Sequence, residues 1–456
     1  MLALALLAAA LSQPQFEAKP CVSENAADKS VICGTVRVRE DRTRPDGRTI
    51  DLNVVVLTAR SSTPDLPPLV DIDGGPGLAS TRSAAFYRVD GVAYRERRAV
   101  ILIDQRGTGG SNPLMCPGLS TAETALQPVF PKEGVLACAT DLARRAGLRQ
   151  YGTDAAAADL DDVRAALGYS KIDIVAISYG TTLAFRYMAA YPGRTRAAVL
   201  SGVVPASARP PQHHAVVADA ALTQSFDDCA ADPACLAAYP KLNGDLKRAL
   251  ARLANQKATM SASIFMEKIR SLLYHPATAR SVPMIVHAAA DGDLGPFHKF
   301  AGSGGPSDYA DGLYLSITCS ESISLMDYAK ALSASRKTRF GDYRLHRQGE
   351  ACKAWPKAMI AADFLKPVQS DAQILLISGG RDPVTPAAWA SDAARSLPNA
   401  RHVVIPWSGH SFEGLSGVDS CYDPMLLRFF DRGDARSIDT ACVADMRPPA
   451  YSVGTD

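Results

Sequence analysis

The sequence predicts an α/β fold: a mostly parallel sheet flanked by helices and interrupted by one long helical insertion. Three observations carry this reading. Short apolar runs recur along the chain, separated by stretches with helical spacing. The chain opens on two alternating segments joined by the turn-rich R-P-D-G-R (44–48), the pattern of an antiparallel pair. From about Ser207 to Ser370 the alternation stops and helical patterns take over. At 456 residues the chain is long enough for a large core plus such an insertion.

Taken in order, C-G-T-V-R-V-R-E (33–40) and T-I-D-L-N-V-V-V-L-T-A (49–59) read as an antiparallel edge pair. Short runs suited to buried strands follow at Pro68–Ile72, Ala99–Ile103, Ile172–Ile177, Ala197–Leu200, Ile374–Ile377 and His402–Ile405. The stretch D-A-A-A-A-D-L-D-D-V-R-A-A-L-G (154–168) has the spacing of a helix, with Thr153 as the expected N-cap and Gly168 as its stop. A second helix, T-T-L-A-F-R-Y-M-A-A-Y-P (181–192), is stopped by Pro192. The expected organisation is a discontinuous sheet domain over 31–206 and 371–456, with a helical cap inserted at 207–370. A loose Gly/Ser/Pro segment (301–308) lies inside the cap.

Composition bounds the partners. With 49 Lys plus Arg against 47 Asp plus Glu and no basic tract, the chain is not built to bind nucleic acid. Residues 2–11, L-A-L-A-L-L-A-A-A-L, are too short to span a bilayer and lie where a signal peptide belongs. Small residues before Gln13 set the expected leader at 1–12. Ten cysteines agree with export to the periplasm or medium, where an even count reads as disulfides. Neighbour pairing would give Cys21–Cys33, Cys116–Cys138, Cys229–Cys235, Cys319–Cys352 and Cys421–Cys442, although other connectivities are arithmetically open. No C-x-x-C occurs and no His is interleaved at ligand spacing, so neither a zinc site nor any other metal is expected.

The chemistry concentrates at strand ends. The run K-I-D-I-V-A-I-S-Y-G (171–180) places Ser178 on a sharp turn between a strand and a helix. Such an elbow lifts a hydroxyl above the sheet, and the helix N-terminus aims N–H groups at an oxyanion formed there. The usual pattern is G-x-S-x-G; Ala176 replaces the first glycine. Acyl transfer also needs a base, a group to orient it and oxyanion donors. Asp382, in I-L-L-I-S-G-G-R-D-P-V-T-P (374–386), follows an apolar strand in a tight turn, with Thr385 and Pro386 expected as N-cap and N1 of the next helix. The other position for an acid, after the strand beyond the elbow, holds Ser201, which cannot orient an imidazolium as a carboxylate does. His410 follows the last apolar strand by a short loop. The backbone N–H groups of Tyr179 and Gly75 are the expected oxyanion donors, the latter in V-D-I-D-G-G-P-G (70–77). The order Ser178, Asp382, His410 is that of an α/β-hydrolase. The Gly-rich I-L-I-D-Q-R-G-T-G-G-S (101–111) lacks the lysine of a phosphate-binding loop.

D-G-G-P-G, D-Q-R-G-T-G-G-S, D-L-D-D-V-R-A-A-L-G, I-S-Y-G-T-T-L-A, G-G-R-D-P-V-T-P and S-G-H together resemble the secreted tripeptidyl aminopeptidases, relatives of the prolyl aminopeptidases. The matches run from about Val36 to Ser411, and C-A-A-D-P-A-C (229–235) and I-T-C-S-E (317–321) resemble cap elements of that family. The resemblance implies an α/β-hydrolase fold with a cap, Ser178 as nucleophile, Asp382 as acid and His410 as base. Acidic cap residues hold the substrate's α-amine in related enzymes, and Glu321 is the candidate here. Asp73 stands where prolyl aminopeptidases commonly carry His, which argues against strict prolyl specificity. The expected function is an exported serine aminopeptidase acting on peptides without a cofactor. The alternatives are an esterase or amidase on small non-peptide substrates, and a non-catalytic binding protein on the same fold.

Overall fold

A computed structural model describes residues 14–22, 28–121, 123–255, 261–301 and 308–454. The expected leader and most of the 301–308 segment lie outside the described residues. Nine strands form one sheet: β1 (Phe16–Lys19), β2 (Val31–Arg39), β3 (Thr49–Leu57), β4 (Leu69–Ile72), β5 (Val100–Ile103), β6 (Ile172–Ile177), β7 (Thr195–Ser201), β8 (Gln373–Gly379) and β9 (Ala400–Ile405). Their spatial order is β1-β2-β3-β5-β4-β6-β7-β8-β9. Pairing is antiparallel from β1 to β5 and parallel from β5 through β4 to β9. The expected β2–β3 pair is present, but β1 lies outside β2, so that pair is not the edge. The short F-E-A-K of β1 carries no alternation strong enough to announce itself.

The parallel strands are buried on both faces, as they must be when helices cover them. Ile172, Ile174 and Ala176 of β6 pack on one side with Leu183 and Met188 of the helix Tyr179–Ala190 and Leu160 and Val163 of the helix Thr153–Ala166. Val199, Leu375 and Ile377 face the other side and meet Met425, Leu426 and Phe429 of the helix Asp423–Arg432. Asp173 interrupts the apolar run of β6 and is fully buried. It survives there because Arg98 (2.9 Å) and Arg196 both pair with it. Removing either arginine would leave that charge short of compensation.

Two expected helix openings shift by a residue. Gly152, not Thr153, precedes the first turn of Thr153–Ala166. Pro386 rather than Thr385 occupies the cap position before Ala387–Ala394. In each case the threonine donates instead to a distant or turn carboxylate, so tertiary bonding overrides the local capping preference.

Between β7 and β8 the chain is helical among the described residues. The main cap helices are His214–Ala231, Leu242–Asn255, Ala262–Leu272, Val282–Asp291 and Tyr343–Ala354. They enclose their own core around Leu222, Leu246, Phe265, Ile285 and Phe297. A further cluster joins cap to sheet domain: Leu114, Tyr151 and Tyr179 pack with Leu313, Ile317 and Trp355. The bridges Cys229–Cys235 and Cys319–Cys352 brace the cap, and Cys21–Cys33, Cys116–Cys138 and Cys421–Cys442 the rest. All five are the neighbour pairs expected from the sequence. No helix among the described residues is long and apolar enough to cross a membrane.

Candidate active site

The site forms where β4, β6, β7, β8 and β9 end under the cap. Ser178 sits between β6 and the helix Tyr179–Ala190 with φ 57° and ψ −126°. That conformation turns the chain sharply and leaves the side chain above the sheet. Both backbone polar groups of Ser178 are tied down: its N–H donates to Ser201 O (2.9 Å), and its carbonyl accepts from Thr181 N (2.9 Å) and Oγ1 (2.6 Å). Gly180 explains the second glycine of the motif. A Cβ there would lie 2.4 Å from the carbonyl oxygen of Ile72 and 2.8 Å from that of Asp73. Ala176, in place of the first glycine, is buried in the core.

The loop after β4 approaches the elbow closely: a Cβ on Gly74 would sit 2.9 Å from that of Ser178. The Gly74 N–H is committed to Asp73 Oδ1 (2.7 Å), and Gly75, next along, lines the same cavity as Tyr179. The Gly-rich 104–111 segment braces this loop. Asp104 accepts from Thr81 N (3.1 Å) and Oγ1 (2.8 Å), and from Gly110 N (2.9 Å), while Gln105 Nε2 donates to Asp73 O (3.1 Å). That motif is scaffolding for the loop carrying Gly75.

After β8 and β9, Asp382 and His410 come together. His410 Nδ1 lies 2.8 Å from Asp382 Oδ2. Val384 N and Thr385 N each donate to Oδ1 at 2.8 Å, and Thr385 Oγ1 donates to Oδ2 at 2.5 Å. Burial pushes the Asp382 carboxyl up, but the adjoining His410 and these donors outweigh it and hold it below the usual range. An ionised, acceptor-only carboxylate in this position fixes the imidazole with Nδ1 as donor, which leaves Nε2 to act as a base. Tyr274 of the cap stands edge-on to the His410 ring, with centroids 5.1 Å apart. Ser201 points elsewhere: its hydroxyl is 3.1 Å from that of Tyr422, within the other core face.

Glu321 reaches the site from the cap, two residues after Cys319 of the Cys319–Cys352 bridge, and is buried (5 % exposed). Its Oε1 accepts from Thr153 N (2.7 Å) and its Oε2 from Thr153 Oγ1 (2.5 Å). Thr153 Oγ1 is also 2.9 Å from the Tyr179 hydroxyl, so a short chain of bonds runs from the cap carboxylate to the residue after Ser178. Burial raises the Glu321 carboxyl to about 7, against the opposing bonds from Thr153. Ser178, His410, Gly75, Tyr179 and Glu321 all line one cavity of about 460 Å³. Thr153 and Thr385 were expected only as helix caps, and Tyr274, His214 and Arg344 had no expected place at the site. Thr385 carried a signal in the D-P-V-T-P turn. Thr153 carried only a capping signal, and Tyr274, His214 and Arg344 are brought in by cap packing, which leaves no local trace.

A family model for the alpha/beta hydrolase fold matches residues 67–412, and the chain belongs to that family. Within it, the chain is similar to serine peptidases. The serine protease Hip1 of Mycobacterium tuberculosis is 24 % identical over 473 residues, covering 93 % of this chain and 90 % of its own. The tripeptidyl aminopeptidase of Streptomyces coelicolor is 28 % identical over 216 residues, 44 % of this chain and 40 % of its own. The proline iminopeptidase of Neisseria gonorrhoeae is 30 % identical over 144 residues, 31 % of this chain and 34 % of its own. The protein is a serine-peptidase-like α/β hydrolase.

Proposed function

We propose that the protein is an exported serine aminopeptidase, acting in the periplasm or medium and releasing short N-terminal peptides or single residues through an acyl-enzyme. The observation that carries this reading is one cavity lined by Ser178, the Asp382-bonded His410 and the buried carboxylate of Glu321. In this reading Ser178 Oγ attacks the scissile carbonyl as His410 Nε2 takes its proton. Asp382 holds the imidazole and stabilises the imidazolium. The N–H groups of Tyr179 and Gly75 receive the oxyanion. His410 then protonates the leaving amine, and water enters by the same route in reverse to release the acyl group. Glu321 pairs with the free α-ammonium of the substrate, whose charge favours the ionised carboxylate. Export is supported by the five disulfides, which persist in oxidising compartments.

Matched chromogenic peptides with free and N-acetylated termini test the reading, alongside active-site labelling with a fluorophosphonate. Labelling lost in Ser178→Ala, with turnover of the free peptide only, is the expected result. Equal turnover of both peptides would leave an esterase or amidase without amine recognition. A folded protein that takes no label would be a binding protein.

A further inference from the structure

The cap brings a second charged cluster to the catalytic cavity, and the aminopeptidase reading leaves it without a task. Arg344, on the helix Tyr343–Ala354, and Arg270, on Ala262–Leu272, both pair with Glu267; the Arg270 contact is 2.7 Å. Glu267 is held down to about 2: burial pushes it up, and the two guanidiniums more than compensate. Two cations therefore share one carboxylate, and among the described residues neither arginine forms another ion pair. The surplus positive charge sits in a low-dielectric wall, where it is most attractive to an anion. Arg344 lines the cavity that holds Ser178, its side chain is only 20 % exposed, and its Nε is buried with no acceptor among the described residues.

His214 lines the same cavity, is 9 % exposed, and presents a buried Nδ1 that also lacks a partner among the described residues. Burial first, then Arg270, Arg344, His213 and His410, hold it far below its usual range, so it stays neutral and can donate one N–H.

The cluster also has a side. Arg270 Nη1 donates to the Tyr274 hydroxyl (2.7 Å), and the Tyr274 ring lies edge-on to His410. The cations thus stand on the side of the cavity that carries the base. Glu321 instead is tied through Thr153 to Tyr179, the residue after Ser178. A base that protonates the leaving amine must face the leaving group.

Resting on the serine-peptidase reading, we propose that Arg344, with His214 beside it, receives a carboxylate carried by the leaving portion of the substrate. The preferred substrates are then short peptides with opposite charges at their two ends: an ammonium on the acyl side and a carboxylate beyond the scissile bond. That carboxylate is either the free C-terminus of a short peptide or an acidic side chain in the departing part.

Di- to pentaalanine, each as free acid and C-terminal amide, and each with and without N-acetylation, provide the test, with products read by mass spectrometry. Tetrapeptide amides carrying Asp or Asn at the last position form a further arm. One chain length is expected to show kcat/KM at least about tenfold higher for acid than for amide, the scale of a charge-assisted contact. This ratio should approach one in Arg344→Gln and be partly retained in Arg344→Lys. A preference confined to the free acids assigns the terminal carboxylate; an Asp-over-Asn preference assigns the side chain. The inference falls if wild-type enzyme shows no acid preference in either arm, or if the preference survives intact in Arg344→Gln. Should Arg344→Gln not fold, the wild-type ratios and Arg344→Lys decide the matter in the same way. The N-acetyl arm reads the amine separately, so insensitivity there overturns amine recognition and leaves the carboxylate result standing.

Discussion

The cavity has two halves built by different physics. The half on the sheet domain is held by backbone geometry. Gly180 and Gly74 allow main chains to approach where no Cβ fits, and Ser178 is tied at both its N–H and its carbonyl. The half on the cap is held by side chains: Glu321 bonded to Thr153, and Glu267 between two arginines. Backbone placement tolerates almost no substitution and, in the proposed mechanism, sets the reaction. Side-chain placement can be retuned one residue at a time and sets which molecules enter.

Substitutions on the two sides should separate this contrast cleanly. The largest effect is expected for Ser178→Ala, which should lower kcat by about 10^5–10^6-fold with peptide binding retained. Asp382→Asn should cost on the order of 10^4-fold in kcat, because the imidazole loses its charged orienting partner and the correct tautomer. Steady-state kinetics check both. If either left kcat near wild type, the sheet half would not be the reacting half.

On the cap side, replacing Cys319 and Cys352 by serine should lower stability by about 2–4 kcal/mol in denaturant titrations. KM should rise more than fluorophosphonate labelling slows, since the bridge adjoins the segment that carries Glu321. Glu321→Gln should lower kcat/KM for free-amine peptides by roughly 10- to 100-fold, the worth of one charged pairing. In wild type this kcat/KM should climb as pH rises through about 7, where Glu321 ionises, and the variant should lose that limb.

The stability consequence of Glu321 runs the other way. Its folded pKa lies above the unfolded value of about 4.3, so its contribution is fully present at low pH and is lost as pH rises through about 7. Glu321→Gln should therefore melt higher than wild type at pH 8 while being the poorer enzyme. Equal melting at that pH would argue against a buried, ionising carboxylate.

How much could be read beforehand follows the same division. The positions of Gly75, Ser178, Asp382 and His410 were legible because each lies just past an apolar run whose length and flanking glycines mark a strand end. The nearness of Asp382 and His410 followed from adjacent parallel strands β8 and β9. β1 was missed because four residues, of which only Phe16 is half-buried, cannot establish a period. Thr153 was misread as a cap because its hydroxyl is claimed by Glu321, 168 residues away. The Arg344–Glu267 pair spans 77 residues between cap helices, and nothing in either local sequence points to the other.

Ser178 itself carries a thermodynamic consequence. A positive φ of 57° suits glycine far better than serine, and a side chain held there costs on the order of 1–3 kcal/mol. In the proposed mechanism the nucleophile is thus a liability to the fold that the surrounding bonds must overcome. Ser178→Gly should melt above both wild type and Ser178→Ala, by ~1 kcal/mol once the extra chain entropy of glycine is deducted. For trapping intact substrates, glycine is then the better inactivating replacement, since it removes the hydroxyl and relaxes the turn that displayed it.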